Sequence, residues 1–377
     1  METPDTVGQK NYKHEQIYEH IRDKIRRGEY QVGFQIPTEA AISQQFRMSR
    51  QTVGRALRAL ELEGLVSRKR GAGTFVTGVV QEDTRNNYRV TALIPDADDG
   101  VFFSRICMQM AFAAQKRGIG VSFSEALYGK KEMSLSQAEK ICQELLKSRP
   151  SGVIFCPLKV PQELAQINSH IADTLAKAGI PLVLLDCDIC SFPARSQFDV
   201  VGVDNRRGGF LLAAHLWDLG CRRIEFVAPY WNRPTVAARI AGYQEFLTHV
   251  GVAPDPSWIH HGDLSEPALI AEVMKKIDES GVEALICAND WTAAVLIRAL
   301  TSNGTRVPQD VRVVGFDGIN IADILPVSLT TFKQPVEELG AAAIDAMVER
   351  LEYPNRPARH IMLEGSLSIG ESCGAHL

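Results

Sequence analysis

Apolar positions along this chain keep two different rhythms, one over the first 80 residues and another beyond them. Ile17, Ile21 and Ile25 lie four apart with Tyr18 alongside, which predicts a helix over 12–27 that Gly28 stops. A turn-rich connector, 28–37, leads to Thr38, a side chain suited to cap a second short helix ending near Phe46; Pro37 keeps the residue before it extended. Ser49 has the hydroxyl of an N-cap, and Val53, Ala56, Leu57 and Leu60 then form one apolar stripe, ending before Gly64. Residues 65–67 and 74–76 read as short strands, joined by a tip at 68–73 with three positive charges and two glycines. Three helices followed by a basic hairpin predict a winged helix-turn-helix over 10–78.

Residues 79–89 are polar and aperiodic, a linker. From Val90 the pattern becomes short β-rich runs alternating with helical stretches. Strands are expected at 90–94, 119–123, 152–156 and 181–185, with helices at 103–117, at 134–148 and ending near Ala178. The rhythm restarts at 200–203 and continues at 223–227, 284–287 and 311–315. Repeated βα units predict parallel, doubly wound sheets covered on both faces. Two runs of about four strands suggest two lobes within 90–371: one of about 90–199 and 336–356, the other of about 200–333 and 357–371. The fold class is therefore α/β, with a small winged-helix domain ahead of a two-lobed domain.

Charge sharpens this division. The chain carries a net charge of −4, yet residues 10–78 hold 13 Lys and Arg against 7 Asp and Glu, and the remainder 28 against 38. A basic module on an acidic body points to a polyanion for the first part only. No apolar run approaches the ~20 residues of a membrane span, and the polar N-terminus lacks the apolar core of a secretion signal, so the expected location is the cytoplasm. Five of the eight cysteines, at 107, 142, 156, 221 and 287, fall in apolar segments, as small buried hydrophobes do. Cys187 and Cys190 form a lone CxxC without a second pair or spaced histidines, so neither a metal nor another cofactor is expected. Glycine-rich nucleotide loops and a nucleophile-elbow sequence do not occur, which argues against an enzyme.

Two groups of residues carry candidate chemistry. The first turn of the third helix presents Arg50, Gln51 and Thr52 opposite its apolar stripe, with Arg55 a turn further on; a short helix so equipped is what the major groove admits. In the second half, Asp186, Asn289 and Asp317 follow strands, where open α/β sheets bind ligands. Arg239 opens a helical Arg-Ile-Ala-Gly run, and Phe102, Phe103, Trp231 and Trp291 lie nearby in sequence. Carboxylates, an amide and an arginine grasp hydroxyls, and aromatic faces cover the C–H surface of a sugar.

Residues 10–78 resemble the GntR-type winged-helix DNA-binding domain. The resemblance is carried by Gly28-Glu29-Tyr30, Gly33, Ile36-Pro37-Thr38-Glu39, Ser49 to Val53, Glu63-Gly64-Leu65-Val66 and Gly71 to Val76. It implies that Ser49, Arg50, Gln51 and Thr52 meet bases and phosphates in the major groove, with Arg55 or Arg58 a partial substitute for a family arginine. It also implies that Thr38 and Glu39 lie against the backbone and that Lys69, Arg70 and Gly71 enter the adjacent minor groove. Gly54 and Ala40 stand where the family often carries basic residues. Residues 90–371 resemble the sensor domain shared by Lac-type repressors and periplasmic sugar-binding proteins, through Val203-Asp204-Asn205, Arg239-Ile240-Ala241-Gly242-Tyr243, Ala288-Asn289-Asp290, Val311 to Asp317 and Thr330-Thr331 with Gln334. That likeness implies effector contacts from Arg239, Asn289 and Asp317, and further ones from Asp186, Phe102, Phe103, Trp291 and Gln334, while Asp204 and Asn205 read as a helix cap. The combination is that of arabinose-repressor-like regulators. It implies a homodimer on a pseudo-palindromic double-stranded operator, a repressor controlled by a small sugar held between the lobes; a nucleobase or other non-sugar corepressor is the alternative.

Overall fold

In the computed structural model the chain divides into two compact units, 1–86 and 87–377, with the boundary inside the polar stretch that follows the basic hairpin. The structure describes residues 13–62, 64–69, 72–78, 88–94, 100–124, 134–158, 166–229, 234–262, 267–321 and 324–375.

The first unit has α1 (Lys13–Arg26), α2 (Glu39–Phe46) and α3 (Arg50–Leu62), then β1 (Val66–Lys69) paired antiparallel with β2 (Gly73–Val76). Ile17, Ile21 and Ile25 of α1 meet Ile42 of α2 and Val53, Ala56, Leu57 and Leu60 of α3 in one buried cluster, so the apolar stripes read in the sequence are the core. The connector before α2 is bound to the hairpin: the Gly33 and Ile36 amides donate to the Val76 and Thr74 carbonyls, at 2.8 and 3.0 Å. That pairing gives the hairpin a third, short edge and holds it against the helices.

The second unit holds two six-stranded sheets. The first contains β3 (Arg89–Leu93), β4 (Gly120–Phe123), β5 (Gly152–Phe155), β6 (Leu182–Leu185), β7 (Asp199–Val203) and a late strand, β13 (His360–Leu363), all parallel. Its helices are α4 (Gly100–Lys116), α5 (Leu135–Ser148), α6 (Gln166–Lys177) and α11 (Val336–Glu352). The second sheet contains β8 (Ile224–Ala228), β9 (Ile259–His261), β10 (Ala284–Cys287), β11 (Arg312–Asp317) and β12 (Thr330–Lys333), with β14 (Ser366–Ser368) antiparallel at its edge. With it go α7 (Asn205–Asp218), α8 (Pro234–His249), α9 (Pro267–Ser280) and α10 (Asp290–Ser302). One buried cluster, from Val90 and Phe102 to Phe316 and Phe332, runs through both lobes.

Two boundaries differ from the sequence reading. The strand at 199–203 completes the first sheet by pairing with β6, so the chain changes lobe after Val203 and not at 200. Residues 360–363 pair with β7 in the first lobe, whereas the sequence pattern places 357–371 in the second. The βα rhythm reports local period and says nothing of which sheet a strand joins; β6 and β7 are parallel neighbours linked without a helix, which broke the pattern early. Strands β9, β12, β13 and β14 escaped notice because each is three or four residues long and carries polar side chains. The chain passes between lobes three times, after β7, after β12 and after β13; Asn205, just past the first passage, bonds Arg239, and Gln334, just past the second strand end, bonds Asp317.

Candidate nucleic-acid interface and ligand crevice

Local chemistry sets the start of α3. The Ser49 hydroxyl accepts from the Thr52 amide at 3.2 Å and lies 2.8 Å from the Thr52 hydroxyl, satisfying a helix-end donor as a cap should. Burial of Val53, Ala56 and Leu57 turns the opposite face outward, where Arg50, Gln51, Arg55 and Arg58 are exposed and make no bond to another described residue. Thr38 caps α2 by accepting from the Ala41 amide. Sequence reasoning passed over Arg68, on β1. Its guanidinium pairs with Glu39 Oε1 at 3.1 Å and reaches the Gly54 carbonyl at 3.4 Å, and its amide donates to Glu61 at 3.1 Å, so it ties the hairpin to both helices of the reading motif. Glu39 is thus engaged inside the domain. Lys69, at the end of β1, lies 5.4 Å from the Phe75 ring centre; Arg70 and Gly71 lie outside the described residues.

In the second unit, α7 and α8 press backbone to backbone because two glycines leave room: a methyl on Gly209 would overlap the Arg239 carbonyl, and one on Gly242 the Arg206 carbonyl. This contact seats Arg239, which is only 6% exposed. Its guanidinium lies over the Phe316 ring at 3.6 Å, donates through Nε to Asn205 Oδ1 at 2.9 Å and through Nη1 to the Ala288 carbonyl at 2.5 Å, and faces Asp317 Oδ1 at 3.6 Å. Gln334, on the passage after β12, donates through Nε2 to the same Asp317 oxygen at 2.7 Å, while its own carbonyl oxygen is buried without a partner among the described residues. Buried acceptors are ordinarily bonded, so an unmatched one at this place is what a ligand hydroxyl would complete. Asp317 has φ +123, a backbone region that costs a non-glycine residue of order 1–3 kcal/mol and concentrates at functional sites.

The other expected contacts fall as follows. Asn289 caps α10, its Oδ1 accepting from the Thr292 amide at 2.7 Å. Trp291, in the first turn of that helix, is 48% exposed. Phe102 and Phe103 are buried in α4, edge to face at 5.3 Å, as part of the core that joins the lobes. Asp186 ends β6 with φ +75. Of the pair read as a cap, Asp204 does cap α7 through the Arg207 amide, whereas Asn205 is a buried partner of Arg239. Asp290, which follows a strand with Asn289 but is not among the expected effector contacts, is fully buried: it accepts from the Gly318 and Ile319 amides at 2.8 and 2.9 Å and from the Thr331 hydroxyl at 2.5 Å. Burial pushes its carboxyl up to about 7, against those donors and Arg239, which pull it down.

No group of three potential metal ligands is present among the described residues, and Cys187 and Cys190 are free thiols there. Among those residues, no helix is long and apolar enough to cross a membrane.

The fold is a small winged-helix unit followed by a two-lobed unit of parallel α/β sheets. Residues 13–76 match the family described as bacterial regulatory proteins, gntR family, and residues 213–373 match the periplasmic binding protein-like domain. The chain therefore joins a GntR-type helix-turn-helix domain to a periplasmic-binding-protein-like domain. It is 29% identical over 350 residues to the arabinose metabolism transcriptional repressor of Geobacillus stearothermophilus, covering 90% of this chain and 91% of that one. It is also 29% identical over 210 residues to the HTH-type transcriptional repressor PurR of Photobacterium profundum, over 55% and 62% of the two chains. Among solved structures, the CelR–cellobiose complex superposes with a TM-score of 0.65 at 21% identity, covering 89% of this chain and all of that one. A LacI family regulator from Enterococcus faecium with bound ribose superposes with a TM-score of 0.60 at 23% identity, over 75% and 98%. These likenesses in structure are likenesses of fold.

Proposed function

We propose that this protein is a cytoplasmic, homodimeric transcriptional repressor whose hold on a pseudo-palindromic operator is controlled by a small sugar bound between the lobes of its second unit. The observation that carries the sugar reading is the buried set of Arg239, Asp317 and Gln334. It offers an arginine already held in place, a carboxylate beside it and an unmatched amide oxygen, which suits a neutral, hydroxyl-rich ligand. Asn289, Trp291, Asp186, Phe102 and Phe103 are the supporting contacts in this reading. Exposed Met108 and Phe112, one turn apart on α4, support self-association, and a two-fold dimer suits a palindromic site. On the reading side, Ser49, Arg50, Gln51, Thr52 and Arg55 enter the major groove, Thr38 contacts backbone, and Lys69 with the hairpin tip at Arg70 and Gly71 reaches the minor groove.

A thermal-shift screen of the purified protein against pentoses, hexoses, disaccharides and nucleobases tests the sensor. A ligand at about 100 times its Kd stabilises the native state by about 2.7 kcal/mol, enough to detect. A sugar hit that also changes operator affinity is the expected result. A nucleobase hit with silent sugars would replace the sugar with a planar corepressor.

A further inference from the structure

Asp290 is a fully buried acid of the second unit that the proposed binding set does not use. An acid in the first turn of α10 is ordinarily explained by the helix dipole, which favours negative charge there. That account covers the residue type but not its surroundings. The side chain is fully buried and leaves its own helix, bonding to two amides 28 and 29 residues further on and to a hydroxyl on β12.

The neighbouring chain is shaped to receive it. A methyl on Gly315 would overlap Asp290 Oδ1, so the strand carries a glycine where the carboxylate crosses it. Gly318 has φ +75, and a methyl there would lie 2.9 Å from the Lys333 Cα, so this second glycine lets the turn close against β12. Between the two glycines stand Phe316, the ring under Arg239, and Asp317, with its left-handed backbone. Aspartate visits positive φ more readily than most side chains, but φ +123 lies beyond the small left-handed well, so neighbouring bonds hold it there: those of Gln334 to Asp317 itself, and those just beyond it.

We propose that Asp290 is a positioning residue. By gripping the Gly318 and Ile319 amides and the Thr331 hydroxyl, it fixes Asp317 in the conformation that aims its carboxylate at Arg239 and Gln334. Asp290 touches no ligand in this account; it acts through Asp317. The ligand consequence rests on the crevice being the effector site, whereas the grip itself does not.

The test uses the full chain and three variants, Asp290→Ala, Asp290→Asn and Thr331→Val. Amide hydrogen exchange of the unliganded protein is followed at 317–319. Asp290→Ala should speed exchange there at least about tenfold while leaving the first unit unchanged. Asp290→Asn should stay near the wild type, because its amide oxygen can accept from both N–H groups while its NH2 donates to Thr331 Oγ. Thr331→Val removes the bond to Asp290 and a longer one from the Gly318 amide, at 3.3 Å, but leaves Asp290 its two amide donors, so it should fall between, and it serves if Asp290→Ala does not fold. Titration with L-arabinose, D-ribose and cellobiose follows; for any that binds the wild type, affinity should fall at least about tenfold in Asp290→Ala and return in Asp290→Asn, a rescue that general destabilisation would not give. Unchanged exchange in both Asp290→Ala and Thr331→Val, loss in Asp290→Asn equal to that in Asp290→Ala, or undiminished sugar affinity in Asp290→Ala would each overturn the proposal. Wild-type silence toward all three sugars, with the exchange pattern as expected, would count against the sugar reading and in favour of the grip.

Discussion

Arg50, Arg55 and Arg58 stand exposed along one face of α3 without a partner among the described residues, whereas Arg239 is buried and held at every nitrogen. The same side chain is put to two uses. A reader of DNA gains from cations left in water, because much of its affinity comes from releasing counterions at phosphates, and an internal partner would compete with them. A sensor gains from a guanidinium whose geometry is fixed in advance, because each rotamer already ordered is entropy not lost on binding. Arg68 marks the limit of this contrast within the first unit: it is half-exposed and basic, yet Glu39, Glu61 and the Gly54 carbonyl occupy it, so it joins the hairpin to the helices.

The largest break in the comparison should come from Arg239→Ala. Removing one partner of a buried pair leaves Asp317 with an uncompensated charge and costs roughly 3–5 kcal/mol of stability in the second unit. Loss of even one charged hydrogen bond to a ligand, worth about 1.5–3 kcal/mol, should lower its affinity at least about tenfold. Operator affinity measured without ligand should change little. A parallel loss of DNA binding would mean that the residue supports the whole fold instead of the crevice.

Arg50→Ala should do the reverse at a smaller scale. Operator binding at fixed salt should weaken by about 1–3 kcal/mol if the side chain meets a base edge, with the melting of the second unit and its ligand affinity unmoved. Equal weakening on operator and random DNA would reassign Arg50 from base to phosphate, and no weakening would remove it from the interface.

The two regions were not equally legible in the sequence. The reading helix was, because its cap and stripe are local: Ser49, Val53, Ala56, Leu57 and Leu60 take their places by a 3.6-residue period and one side-chain hydrogen bond. The crevice was legible only as a list of strand ends. Arg239, Asp317 and Gln334 do come together, but Asn289 and Asp290 are adjacent, and either could cap a helix; only the fold shows that Asn289 takes the cap and Asp290 turns inward. Asn205 was missed for the same reason, since its Arg239 partner lies 34 residues away. Lobe assignment for β7 and β13 failed because a strand's sequence records its burial and period but not its neighbour.

The smallest effect, and the finest probe of the reading face, is at Gly54. A helical glycine costs about 1 kcal/mol relative to alanine. A Cβ here would meet nothing nearer than Glu39 Oε1 at 4.0 Å, so sterics do not require the glycine. Gly54→Ala should therefore stabilise the first unit by about 1 kcal/mol, read as a higher melting point of that transition. Gly54→Arg separates packing from recognition. If this face of α3 borders a phosphate, the added cation should tighten operator binding and steepen the log-log salt dependence by about 0.9. Stability gained without a change in salt slope would place Gly54 away from the DNA, and Arg55 and Arg58 would then carry the phosphate contacts alone. A melting point lowered by alanine would instead show that this turn of the helix does not tolerate a side chain despite the space around it.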